Sequence, residues 1–397
     1  MKERTFGVLV IAAEKEQALW PILDKPMVGY LLKTILECDP QDVSVVVGRE
    51  DDTLCEYIKA FPSVTPIKHE SLGEWWKRFG QVLVLECDLP FLRAETLRSF
   101  VRGHADSGAA CSFLGDAPYG LSFNPDRFAG VIDGVRCISD LAGLLGEAGL
   151  LTCEFALDSD EASAIRDQTD LAKATTRMRD SIVLKWMEKG VRVLDPCAVW
   201  IGPDVTLSPG ACLMPGVQIW GRSFVGEGSV VGPYCILRNA VLRRGVNLIS
   251  NVIVEDSELC DYAKAGPFAY IRENSVLKER AFAGKFVEIK KTSVGSGSKV
   301  PHLSYMGDAF LGENVNIGAG SVTCNYDGVN KHATRIGDRC FVGSDTMMVA
   351  PITLGDDSTT GAGSTITADV PAGALAVGRA RQKNLEGWAL RKKQIKE

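Results

Sequence analysis

The chain reads as two folds in series, an α/β domain with a doubly wound parallel sheet followed by a parallel β-helix. Three observations predict this. Up to about Gly190, short apolar runs alternate with amphipathic segments. From Ile201 onward, aliphatic or small residues recur at every sixth position. Glycine often follows the repeat residue directly, as in "IGDRCF", "VGSDTM" and "LGDDST".

In the first half, "FGVLVIAA", "VSVVVG" and "QVLVLECDLPFL" have the continuous apolar character of buried parallel strands. "KPMVGYLLKTILE", "DTLCEYIKAF" and "AETLRSFVRGHA" supply the helices between them. That alternation is the mark of an α/β domain, Rossmann-like in its winding. Residues 160–189 form a long amphipathic helical stretch, closed by Gly190, that serves as a connector. The opening strand empties into "AAEKEQALW". Such a strand end often cradles phosphates with the N–H groups of a glycine-rich loop. Glu14, Lys15, Glu16 and Gln17 stand there instead, and two glutamates repel an anion.

In the second half the repeat residues are Ile201, Leu207, Leu213, Ile219, Val225, Val231 and Leu237. The count slips by one and resumes at Leu242, Leu248, Val254 and Cys260, then at Ile271, Leu277, Ala283 and Ile289. Val294, Val300 and Met306 follow, then Leu311 and Ile317. After a break it runs through Ile336, Val342, Met348, Leu354, Thr360 and Ile366. A period of six suits neither a lone helix nor a hairpin. It marks a solenoid in which three hexads close one triangular coil with the aliphatics inward. At about eighteen residues per coil, roughly nine or ten coils fit between positions 201 and 371.

Composition excludes several functions. A chain of 397 residues, 46% apolar, is long enough for two cores. Its net charge of −6 and pI near 5.5 argue against a general nucleic-acid binder. No apolar run approaches the ~20 residues that span a bilayer, and "MKERTFGVLV" lacks a signal-peptide layout. The twelve cysteines are scattered without CxxC pairs, so they read as reduced, mostly buried thiols without a zinc site. The expectation is a cytoplasmic protein with no membrane span.

A solenoid carries function on its interruptions. The main break contains "SVTCNYDGVNKHATR", and before it stand "GPFAYIREN" and "FVEIKKTSVGSGSKVPHLSYMGD". With these motifs, residues 194–388 resemble the acetyltransferase half of the GlmU family, through "GRARQKNLEGW" near the end. That family pairs N-acetylglucosamine-1-phosphate uridyltransferase and glucosamine-1-phosphate acetyltransferase activities. The resemblance implies a left-handed β-helix, an exception to right-handed crossover. It also implies a homotrimer with active sites between subunits, acetyl-CoA as co-substrate and an amino-sugar phosphate as acceptor.

Carried over by position, His302 in "VPHLSY" matches the family's general base. An amino sugar is mostly ammonium near neutral pH, and a neutral imidazole has the pKa to take the proton that blocks attack on a thioester. Arg272 and Lys290 match the sugar-phosphate binders, and two cations suit a phosphomonoester dianion. Tyr305, Asn316 and Lys331 match further sugar and phosphate contacts. Asn325, Tyr326, Ala319, Ser344, Ala362 and Arg379 match the acetyl-CoA positions. Pro301 is a local departure outside this set. Without the resemblance, a lone histidine in a solenoid reads as structural and long cations as solvated surface. His332 keeps that reading, as a surface residue of the loop. The basic tail "RKKQIK" is either a solvated face or a contact for CoA phosphates.

The first half resembles the pyrophosphorylase half of the same family at "VLVIAA" and "ILDKPMVGYLL", in shortened form. The family's G-x-G-T-R-M loop and catalytic lysine are missing; Lys25 matches a structural lysine. "VLECDLPFL" places Asp88 at the magnesium-binding aspartate, but the second ligand has no counterpart near "RDQTDLAKA". "HESLGEWWKRFG" stands where uracil-reading elements belong. Asp88 therefore reads as structural. Neither a metal site nor uridyl transfer is expected, and acetyl transfer needs no Mg²⁺. The expected divisions are a nucleotidyltransferase-like domain over 1–190, the β-helix over 191–378 and a basic tail over 379–397. Two other functions stay open: acetylation of a different phosphorylated or nucleotide-linked amino sugar, and a non-catalytic trimeric partner of a complete bifunctional enzyme. The first domain also stays open as a nucleotide sensor.

Overall fold

A computed structural model describes residues 6–13, 16–48, 51–115, 119–127, 138 and 152–394. The chain forms two compact units, Met1–Arg179 and Asp180–Glu397. The division falls inside the helix Gln168–Glu188 rather than at its end.

The first unit is built on a seven-stranded sheet. Its order is Val64–Ile67, Asp42–Val46, Phe6–Ile11, Gln81–Glu86, Gly120–Phe123, Cys111–Leu114 and Thr152–Phe155. The three strands expected from the apolar runs are parallel neighbours. Gly120–Phe123 runs antiparallel to both of its neighbours, so the sheet is mixed where a parallel one was expected. Both faces are covered. Val8 and Val10 join one apolar cluster, containing Leu31, Leu54 and Phe100 from flanking helices. Leu9 and Ile11 point the other way, into a cluster with Trp75, Trp76 and Phe79.

The opening strand ends at Ile11, and the Ala12 N–H donates to the Val46 carbonyl at 3.1 Å. Glu14 and Lys15 lie outside the described residues. Glu16–Leu19 is one 3-10 turn, and a two-strand hairpin then leads into the helix Met27–Leu36.

The connector helix begins at Gln168, later than the position 160 its amphipathic pattern indicates. Glu161 is drawn away: its carboxylate accepts from the Arg93 backbone N–H at 2.8 Å, Arg93 Nε at 2.7 Å and Thr96 Oγ1 at 2.8 Å. Asp167 then accepts from the Asp170 N–H at 2.8 Å, a side-chain cap that sets the start. Gly190, at φ +87°, closes the segment as expected.

The second unit is a left-handed parallel β-helix of hexapeptide repeats, with faces of eleven, ten and nine short parallel strands. Each strand pairs with the strand one coil later, as Ile219 does with Leu237 and Val231 with Leu248. The inward side chains from Val193 to Val370 form one continuous apolar cluster, which Val183 of the connector helix joins. Full burial of each Val, Leu or Ile contributes about 1.5–3 kcal/mol. Cys260 is a correction, because it is only half-buried and Leu259 takes the inward position. The corner before it is one residue tighter, held by Ser257 Oγ donating to the Glu255 carbonyl at 2.7 Å; Ala265 resumes the pattern. The described cysteines are all free thiols. No described helix is long and apolar enough to cross a membrane.

Candidate active site on one solenoid edge

Strand alternation places the cations. In Tyr270–Arg272 and Glu288–Lys290 the central Ile271 and Ile289 are fully buried inward, so the flanking residues project outward. The strands are parallel partners with Arg272 opposite Lys290, one coil apart. Arg272 Nε donates to Glu288 Oε1 at 2.9 Å, and its Nη1 contacts Glu273 Oε1. Burial opposes the guanidinium charge, but Glu288 and Glu273 hold it above its ordinary pKa. The Lys290 side chain is 9% exposed, with Nζ 3.5 Å from Glu273 Oε2. Lys331 beside it shifts the proton of the pair toward Lys290, whose ammonium is held above its usual value against the cost of burial and with help from Glu273 and Tyr305. Lys331 shifts downward, its charge opposed by Lys290.

Tyr305 opens the next strand of this face, Tyr305–Gly307, with Glu288 opposite it. Asn325 is buried. Its Nδ2 donates to Asp308 Oδ2 at 2.6 Å and lies 3.4 Å from the Tyr305 hydroxyl. The loop beyond it is organised by Asp327, which accepts from the Asn330 N–H at 2.6 Å, the Val329 N–H at 2.8 Å and His332 Nε2 at 2.7 Å. These bonds push its carboxyl down to about 2. A bridge between Tyr326 and Lys331 crosses the loop, so Asp327 shapes the turn that carries Lys331. His332 lies on this loop with its side chain 34% exposed, partnered by Asp327.

His302 ends the strand Lys299–His302, one corner before Tyr305. Its residue is exposed, and its imidazole makes no hydrogen bond to a described residue. Three features fix its backbone. The His302 carbonyl accepts from Ser304 Oγ at 2.7 Å. Leu303, at φ +47°, turns the corner and its N–H donates to the Lys285 carbonyl at 2.9 Å. Gly284 lies against the strand, where a Cβ would meet the Pro301 carbonyl oxygen at 1.9 Å.

The positions matched to acetyl-CoA follow along this edge. The Gly320 N–H donates to the His302 carbonyl, Asp345 to Ala319 and Gly363 to Ser344, at 3.4, 2.7 and 2.8 Å. Arg379 Cδ lies 3.8 Å from the site of a Cβ on Gly363, beside Ala362. His302, Ala319, Ser344, Ala362 and Arg379 thus form a column, one per coil. Asn316 sits on the neighbouring strand, opposite Lys299 and Phe341. Tyr326 stands apart: it is 60% exposed and its hydroxyl donates to Gly328 within its own loop.

Sequence reasoning missed Glu273, Glu288, Ser304, Asp308 and Asp327. All lie inside quoted motifs; the available signal was the coil register, which sets Glu288 beside Tyr305 and Tyr270. In the first unit, Asp88 sits in the turn after Gln81–Glu86, and its carbonyl accepts from the Ile165 N–H at 3.3 Å.

Comparison with known proteins identifies the family. Residues 333–368 match the family described as a hexapeptide repeat of succinyl-transferase. The chain is 35% identical to a bifunctional protein GlmU of Streptomyces avermitilis, over 98% of this chain and 95% of the relative. It is 36% identical to one from Desulfitobacterium hafniense, over 90% and 87% respectively. A solved 4-diphosphocytidyl-2C-methyl-D-erythritol synthase covers 44% of this chain and 98% of its own, at 15% identity and a TM-score of 0.37. With identity of this level across nearly the whole of its relatives' length, the chain belongs to the GlmU family of bifunctional proteins.

Proposed function

We propose that this protein N-acetylates glucosamine 1-phosphate with acetyl-CoA, and that its first unit does not transfer uridyl groups. The observation that carries the acetyl-transfer reading is the in-register pair Arg272 and Lys290, with an unengaged imidazole, His302, at the neighbouring edge. The two cations bind the acceptor's phosphate, and Lys331 adds a third donor. Tyr305 and Asn316 orient the sugar. Acetyl-CoA supplies an activated thioester carbonyl. His302 takes the ammonium proton and releases it to solvent; the freed lone pair forms the new C–N bond as the C–S bond breaks, and His302 takes the nitrogen's second proton. The imidazolium then protonates the departing sulfur, leaving histidine neutral and no acyl-enzyme. Ala319, Ser344, Ala362 and Arg379 offer a continuous edge for the extended CoA chain, with Asn325 and Tyr326 on the insertion beside it.

The active form in this reading is a homotrimer. Exposed Phe268, Phe286 and Leu303 on the same edge support it, with the two phenyl rings stacked at 5.2 Å. Covering them removes apolar surface from water and closes the site against a second subunit.

Uridyl transfer brings a triphosphate against a sugar phosphate and needs donors, cations and Mg²⁺ to offset the charge. Here Glu16 and Gln17 follow the first strand in place of phosphate-cradling glycines. Two assays test the proposal. Thiol release from acetyl-CoA is expected to depend on glucosamine 1-phosphate. No sustained pyrophosphate release is expected with UTP, Mg²⁺ and N-acetylglucosamine 1-phosphate, and its appearance overturns the second half of the proposal.

A further inference from the structure

The anion pocket already contains an anion of the chain itself. Glu273 places Oε1 on the Arg272 guanidinium and Oε2 3.5 Å from Lys290 Nζ, so one carboxylate spans both cations. Two adjacent corner residues in the left-handed region, Glu273 at φ +54° and Asn274 at φ +59°, turn the chain there. The Glu273 side chain is 47% exposed, whereas that of Lys290 beneath it is 9% exposed. An external anion that is to reach Lys290 must displace the carboxylate. Arg272 keeps a second carboxylate when this happens, because Glu288 holds it separately at 2.8 Å.

We propose that Glu273 is a built-in competitor for the acceptor's phosphate, occupying the anion subsite at rest and swinging into solvent when a phosphomonoester binds. The proposal rests on reading Arg272 and Lys290 as the phosphate binders. The carboxylate compensates the clustered cations Arg272, Lys290 and Lys331 in the free protein, where leaving them unpaired is costly. A phosphate dianion carries more charge and more acceptor oxygens, so it replaces the carboxylate on both cations at once. The apparent affinity for any such anion is lowered by the fraction of molecules in which Glu273 has swung away. Glu273 therefore tunes acceptor affinity without touching the reacting atoms.

The test uses the full chain and inorganic phosphate, followed by calorimetry. Glu273→Gln keeps the shape and removes the charge. Glu273→Asn removes the charge with a residue that suits left-handed backbone, so one variant remains if the other fails to fold. Both are expected to tighten phosphate binding about two- to tenfold, a gain consistent with loss of a partly exposed ion pair. Arg272→Ala is expected to weaken it. The KM for glucosamine 1-phosphate is expected to fall in parallel. Unchanged or weaker phosphate binding in a folded charge-neutral variant overturns the proposal, as does absence of phosphate binding in every variant. Tighter phosphate binding without any turnover of glucosamine 1-phosphate overturns the acetyl-transfer reading and leaves the Glu273 assignment standing.

Discussion

Arg272 and Lys290 are opposite each other on adjacent parallel strands, so the hexapeptide repeat delivers both cations to one face of the solenoid a single coil apart. Parallel strands lie about 4.8 Å apart, a spacing at which two cations reach different oxygens of one phosphate group. Cations held this close repel each other, and Glu273 and Glu288 lie against them.

If the two cations bind the acceptor's phosphate as proposed, alanine at either position removes charged hydrogen bonds to it. Such bonds contribute about 1.5–3 kcal/mol each, so the KM for the phosphorylated acceptor is expected to rise about tenfold to a hundredfold. The KM for acetyl-CoA is expected to stay near wild type. Steady-state kinetics in both substrates check this, and an unchanged acceptor KM in both variants removes their phosphate role.

Asp327 links loop order to pH. Its carboxyl is pushed down to about 2, below the usual value near 4, so the folded loop favours the charged form. The resulting stabilisation is fully present above about pH 4 and is lost as pH falls through about 2. Amide exchange at Val329 and Asn330, whose N–H groups Asp327 accepts, is expected to lose its protection across that window. Asp327→Ala is expected to show the same loss at neutral pH, with a several-fold rise in acceptor KM through the displaced Lys331. Equal protection in the variant and wild type contradicts this role.

Gly284 sets how closely the strand carrying His302 approaches the preceding coil. A methyl group there meets the Pro301 carbonyl oxygen at 1.9 Å, so the backbone must shift. Overpacking of this kind costs about 1–3 kcal/mol. Gly284→Ala is expected to lower Tm by several degrees and to reduce kcat by moving His302. A variant with unchanged Tm and kcat shows that the close approach is dispensable.

The solenoid was legible because its inward positions repeat in sequence, as Ile219, Leu237 and Val254 do. Cys260 failed because a shortened corner, not the hexad, decided which residue turned inward. The cations and His302 were legible from their motifs. Glu273 and Ser304 were not, although they adjoin Arg272 and His302, because their roles come from geometry. Glu273 matters where its carboxylate meets a lysine one coil later, and Ser304 through a hydroxyl that fixes the His302 carbonyl. In the first unit the short strand Gly120–Phe123 lacked any periodic signal, and its antiparallel insertion depends on pairing with distant Gln81–Glu86.

The central claim is that His302 is the base of an amino-sugar acetyl transfer, and thiol release from acetyl-CoA with glucosamine 1-phosphate tests it most directly. Wild type is expected to turn over. His302→Ala is expected to lose about 10²- to 10⁴-fold in kcat while still binding both substrates. No turnover by wild type across several amino-sugar phosphates contradicts the enzyme reading, and a mutant as active as wild type contradicts the role of His302.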